Sequence, residues 1–131
     1  MEEIALWDTG ATRTCISLNV AKDLGLIPTG KRNIQTPSGK GVVNTYLVSI
    51  TLPNNVHLED VEVCDSAIGE QGIGVLIGMD IITRGDFSVS NYNGKTMFSF
   101  RIPSRSITDY VAQLRTEKLI GTHGSKKKKK K

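Results

Sequence analysis

Apolar and polar residues alternate most clearly over residues 42–52, where Val42, Tyr46, Val48, Ile50 and Leu52 share one parity. That period of two predicts a half-buried strand. Pro53-Asn54-Asn55 then turns the chain back into a partner strand. In this partner Val56 and Leu58 give way to Val61 and Val63 on the other parity, so a bulge is expected near Glu59-Asp60. Upstream, Ile4, Leu6 and Ala11 bracket a short strand that runs into Asp8-Thr9-Gly10, where glycine permits a tight turn. Ser17 is placed to cap a short helix through Leu18, Ala21 and Leu24, which Gly25 ends. Pro28 and Gly30 mark a loop, and residues 34–41 read as turn chemistry.

Residues 72–78 form an almost wholly apolar, glycine-punctuated run of the kind buried on both faces of a sheet. Met79 to Arg84 suits one or two helical turns ended by Gly85. Asn93-Gly94 is a strong hairpin signal that joins a strand beginning at Phe87 and Val89 to residues 96–100. Beyond Pro103, Ser106 and Asp109 have the spacing of a capping box, and Ile107, Tyr110, Val111 and Leu114 line one helical face. The chain thus reads as an all-β domain over 1–103 with short helices. An amphipathic helix over about 106–120, within a segment 104–120, is expected to pack on that domain, and 121–131 is read as a flexible basic tail.

A chain of 131 residues supports one core, and with aromatics at 5% the aliphatic residues must fill it, which agrees with sheet. The net charge of +4 suggests nucleic acid only until it is located. Lys126 to Lys131 carry six positive charges and leave −2 on residues 1–125, so the domain has no basic binding face and nucleic acid is excluded as the main partner. Cys15 and Cys64, with no CxxC or Cys/His cluster, read as buried reduced thiols and exclude a structural zinc. The N-terminus is acidic where a signal peptide is basic, and no apolar run approaches the roughly 20 residues of a membrane span, so a cytoplasmic protein without membrane attachment is expected. Gly69 to Gly78 lacks a following Gly-Lys-Ser/Thr, which argues against phosphate cradling, and His57 and His123 have no nucleophile at a recognisable spacing. The sequence contains no internal repeat, so two-fold symmetry can come only from a second copy of the chain.

Alone, Asp8-Thr9-Gly10 is ordinary turn chemistry, with a carboxylate suited to capping nearby amides. Its context is more specific: it ends an apolar strand, precedes Thr14-Cys15-Ile16-Ser17 as a second strand and helix start, and is answered by Val75-Leu76-Ile77-Gly78-Met79-Asp80. This arrangement, over about residues 3–100, resembles the retropepsin-like aspartic proteases, the single-domain relatives of retroviral protease. The resemblance implies a retropepsin-like half-barrel in which Asp8 is catalytic and Thr9 braces the partner subunit's loop. It further implies that Gly10 and Ala11 contact substrate, that Ile77 and Gly78 support the loop, and that Thr36, Pro37, Ser38, Gly39, Lys40 and Gly41 form a flap over a bound peptide.

Carboxylate-driven hydrolysis needs one ionised group to take a proton from water and one protonated group to give a proton to the carbonyl oxygen. One Asp cannot do both. Two carboxyls about 3 Å apart share a single proton because both cannot ionise, which separates the roles. With one Asp-Thr-Gly per chain, a homodimer acting on a peptide or protein is implied, without metal or organic cofactor and with an acidic pH optimum. A non-catalytic dimerisation or peptide-binding module of the same fold is the alternative. The chain departs from the family in having only seven residues before Asp8, so the usual N-terminal strand is expected to be missing. The family's acidic residue after Asp-Thr-Gly and Arg after the later Gly are replaced here, and opposite charges suggest a reversed pair, Arg13 with Asp80. Trp7, in place of an aliphatic residue, reads as core or interface packing.

Overall fold

The computed structural model describes residues 1–129, with the side chains of Thr36 and 120–129 left aside. A six-stranded sheet carries the molecule. Its strands are β1 (Ala5–Trp7), β2 (Cys15–Ser17), β3 (Gly30–Thr36), β4 (Gly39–Thr51), β5 (His57–Ser66) and β6 (Val75–Ile77), in the spatial order β1-β6-β2-β5-β4-β3. β7 (Asp86–Tyr92) and β8 (Lys95–Arg101) form a separate two-stranded hairpin. The short helices are α1 (Leu18–Asp23) and α2 (Met79–Ile82), with a 3-10 turn over Ala67–Gln71.

The central hairpin follows the alternation. Leu58, Val61 and Val63 all face inward although their parity changes, because Glu59 and Asp60 both lie opposite Ser49 between the pairs Val48↔Val61 and Ile50↔Leu58. Asp60 takes φ +53° there, so the expected bulge sits where the parity change demands. Val61 and Val63 are essentially sealed from water, each contributing about 2 kcal/mol of apolar burial. They join Ile16, Tyr46, Leu58, Ile77, Ile81 and Phe100 in one core. Ser17 caps α1 by accepting a hydrogen bond from the Val20 N–H at 3.1 Å, and Gly25 ends it at φ +62°. Asn93 and Gly94, at φ +52° and +74°, make the tight β7–β8 turn.

The arm departs from expectation. Residues 30–36 are a strand and not a loop with turn residues. β3 is polar because it pairs along the part of β4 that extends beyond β5, where no buried face imposes alternation on it. Residues 39–44 of β4 pair only with β3, which makes 30–44 a two-stranded arm; Val42 lies on this arm and is exposed, unlike the inward Tyr46.

The C-terminal helix, α3, runs Tyr110–Lys129 and so begins after Ser106 and continues through 121–129, residues that composition reads as tail. Asp109 is its cap, accepting from the Ala112 N–H at 3.0 Å, while Ser106 Oγ accepts from Arg101 Nη2. Asp suits that position as well as Ser does, and Ser106 is already engaged. Nor does the apolar stripe pack on the domain: Ile107, Tyr110, Val111 and Leu114 are all exposed. Lys130 and Lys131, part of the expected flexible tail, fall outside the described residues.

Asp86 ties the hairpin to the segment that follows it. Its carboxylate accepts from the Arg105 N–H at 2.8 Å, from the Ser104 hydroxyl and from Arg101 Nε at 2.7 Å, and these bonds hold it well below the usual carboxylate range.

Candidate active site

The topology dictates where Asp8 sits. β6 pairs parallel with β1 on one side and antiparallel with β2 on the other, so two strands adjacent in sequence are separated by a third that arrives some sixty residues later. To pass from β1 to β2 the chain must cross the end of β6, and residues 8–14 are that crossing. Register puts Trp7 beside Ile77, and the Asp8 N–H donates to the Ile77 carbonyl at 2.8 Å. The carboxylate is therefore carried at the end of a strand pair and not on a free loop.

Within the loop, Asp8 Oδ1 accepts from the Gly10 N–H at 2.8 Å, and the Ala11 N–H donates to the Asp8 carbonyl at 3.2 Å. A Cβ on residue 10 would approach Oδ1 to 3.2 Å, tight against the acceptor atom. Asp8 and Ala11 are partly exposed, while Thr9 and Gly10 are exposed, so the loop presents a carboxylate and a hydroxyl outward. The amide-capping role that the tripeptide suggests is thus present and leaves the carboxylate accessible.

From the other side the loop meets Gly78. The Met79 N–H donates to the Ala11 carbonyl at 2.8 Å and the Asp80 N–H to the Thr12 carbonyl at 3.2 Å. Gly78 passes so close to the loop that a Cβ would lie 2.6 Å from the Arg13 carbonyl carbon and 2.9 Å from the Ala11 oxygen. Both are backbone atoms, so residue 78 must be glycine. Ile77, fully buried, packs beneath. The structure therefore brings together Asp8, Gly10, Ala11, Ile77 and Gly78.

Thr14 carries a role that the sequence does not reveal. It is completely buried, its hydroxyl donates to Asp80 Oδ1 at 2.7 Å and accepts from the Gly78 N–H at 3.2 Å, and its own N–H donates to Asp80 Oδ2 at 3.1 Å. Asp80 Oδ1 also accepts from the Ile81 N–H at 3.0 Å. This network corrects the expected Arg13–Asp80 pair: the carboxylate is occupied by Thr14, and among the described residues Arg13 does not pair with it. No motif marks a buried threonine; the nearest available signal was Asp80 in the first turn of α2. Thr14→Val keeps the shape but strands the Gly78 N–H and leaves Asp80 Oδ1 with the Ile81 N–H alone, so urea denaturation should show a loss of about 2 kcal/mol, largely recovered in Thr14→Ser.

Trp7 packs into the molecule. Its ring centroid lies 5.6 Å from that of Phe87, 5.1 Å from Phe98 and 4.9 Å from Phe100, which anchors the β7–β8 hairpin beside the strand that carries Asp8. The flap residues lie at the arm's end, with Thr36 paired to Gly39 across Pro37-Ser38 and Gln35 to Lys40; the Thr36 side chain lies outside the described residues. His57 is exposed on a hairpin strand, its Nδ1 2.8 Å from the Thr51 hydroxyl.

Among the described residues no group of three or more His, Cys, Asp or Glu side chains could hold a metal ion, and no helix is long and apolar enough to cross a membrane. The sequence profile of the gag-polyprotein putative aspartyl protease family matches residues 4–84, a span that contains β1, the Asp8 loop, the arm and α2. The chain belongs to this family. It has the all-β, retropepsin-like fold with short helices, and the matched span includes the loop pinned on β6. No curated protein matches the chain.

Proposed function

We propose that the chain is an aspartic endopeptidase whose active site forms when two copies bring their Asp8 carboxylates together. The observation that carries this reading is the Asp8 carboxylate itself, held by one loop amide at 2.8 Å, partly exposed, and fixed to the end of β6 inside the span that matches an aspartyl protease family. One such group per chain cannot act as acid and base together, and a two-fold axis supplies the second.

In the proposed site a water lies between the paired carboxyls. The ionised Asp8 takes its proton as the oxygen attacks the peptide carbonyl carbon, and the protonated Asp8 of the other copy donates to the carbonyl oxygen. Reversal of these roles passes a proton to the amide nitrogen, and the C–N bond breaks. Thr9, exposed beside Asp8, suits a bond to the second copy's loop. The 30–44 arm suits a cover that excludes bulk water from an extended peptide. No cofactor enters these steps, and the single shared proton implies an acidic optimum.

Mixing tests the shared site directly. Wild-type protein and an Asp8→Asn variant, equilibrated in equal amounts, should retain about a quarter of the activity of the same total amount of wild type, because only dimers with two carboxylates work. Retention of one half would identify a site complete in one chain.

A further inference from the structure

β2 and β5 run parallel, and their register sets Cys15 directly beside Cys64. Both are free thiols, Cys64 buried and Cys15 half-buried. Neither takes part in the hydrolysis above. Neighbouring strands lie about 4.8 Å apart, which falls inside the roughly 4.4–6.8 Å range of Cα separations that disulfides span. Register partners on adjacent strands also project from the same face.

We propose that Cys15 and Cys64 are a dithiol site that a peroxide closes to an intrachain disulfide, and that closure loosens the loop carrying Asp8. The second half deepens the peptidase reading and rests on it; the first does not. Cys15, the more accessible sulfur, attacks a peroxide oxygen, the O–O bond breaks, and one water leaves with Cys15 as a sulfenic acid. Cys64 sulfur then attacks Cys15 sulfur, the S–S bond forms, the S–O bond breaks and a second water leaves. Two electrons pass from the thiols to the peroxide.

The coupling runs through Thr14. A disulfide holds its Cβ atoms about 3.8 Å apart, closer than the roughly 4.8 Å between facing strand positions, so closure keeps the Cα spacing but tilts the two Cα–Cβ bonds toward each other and twists the backbone at residues 14–15. Thr14 directly precedes Cys15; its carbonyl accepts from the Cys64 N–H at 3.2 Å, and its hydroxyl ties Gly78 to Asp80. Moving that residue disturbs the bonds that fix residues 8–14 to 78–80. A bond closed against strand spacing is strained and is returned readily by a thiol reductant. Burial, then the neighbouring charges of Cys64, Asp80, Asp65 and Asp8, push the Cys15 thiol up to about 11, so its attack is slow at neutral pH.

The experiment treats the full chain with excess hydrogen peroxide for hours above pH 8, then reads intact mass under denaturing, non-reducing conditions together with amide exchange. The expected product is one chain that has lost two hydrogens, counted apart from the oxygens taken up by methionines such as the exposed Met1 and Met97, with no thiol left to alkylate and both thiols restored by dithiothreitol. The Gly78, Met79 and Asp80 amides should exchange at least tenfold faster than in the reduced protein. Cys64→Ser should lose no hydrogens and show unaltered exchange. A wild-type product that keeps two alkylatable thiols, only gains oxygen, or doubles in mass overturns the disulfide; so does a Cys64→Ser chain that still loses two hydrogens. A complete disulfide with unaltered exchange overturns the coupling. None of these readouts requires peptidase activity, so failure of the catalytic reading would show separately, as absent hydrolysis by the reduced protein.

Discussion

Asp8→Asn lowers the rate of peptide hydrolysis by about 10³-fold or more, without loss of fold. The amide is nearly the same size as the carboxylate and its oxygen can still accept the Gly10 N–H, so the loop geometry survives. What disappears is the exchangeable proton and the negative charge. A dimer of such chains has neither a base to activate water nor an acid to protonate the carbonyl oxygen, and positioned acid–base groups commonly supply 10²–10⁴-fold each. The measurement is kcat/KM on a peptide substrate beside a thermal melt of the same preparation. A melt within a degree or two of wild type with hydrolysis abolished is expected; undiminished hydrolysis would remove Asp8 from the chemistry.

Gly78→Ala should be strongly damaging to both fold and site, because the methyl group meets backbone and not a movable side chain. The added carbon would stand 2.6 Å from the Arg13 carbonyl carbon and 2.7 Å from its oxygen, and neither is the far end of a flexible side chain. Relief requires the 8–14 crossing to lift off β6, which breaks the bonds from Met79 to Ala11 and from Asp80 to Thr12. A stability loss of about 3 kcal/mol or more is expected in urea denaturation, with activity lost beyond what the unfolded fraction explains. Gly41→Ala provides the contrast. Its Cβ would meet the Ile34 side chain at 3.7 Å, an ordinary contact, and stability should change by less than about 0.5 kcal/mol.

Much of this architecture is legible in the sequence because local physics settles it. Asn93-Gly94 forms the turn that its left-handed preference requires, Ser17 caps α1, and the parity change at Glu59-Asp60 becomes a bulge. Asp8 and Gly78 stand out because a carboxylate at a strand end and a glycine after an apolar run are visible one residue at a time. The parts that escape notice depend on distant partners. β3 lacks an apolar stripe because it pairs where β4 runs past β5, away from the core, and Thr14 gains its importance only when Asp80 is folded beside it. The attractive opposite charges of Arg13 and Asp80 mislead for the same reason, since backbone crossing and not charge chooses the partner of that carboxylate. Asp109 displaces Ser106 as the α3 cap because Arg101 reaches the serine first.

The insertion of β6 between β1 and β2 also imposes an order on assembly. Early in synthesis a growing chain holds Asp8 and can close the β4–β5 hairpin, whose contacts are local, yet the first two strands have nothing between them to bind. Only when residues 75–80 leave the ribosome can the crossing be seated. The aspartate is therefore made well before the strand that sets it in place, so a chain that lacks residues 75–80 has no seated Asp8 loop.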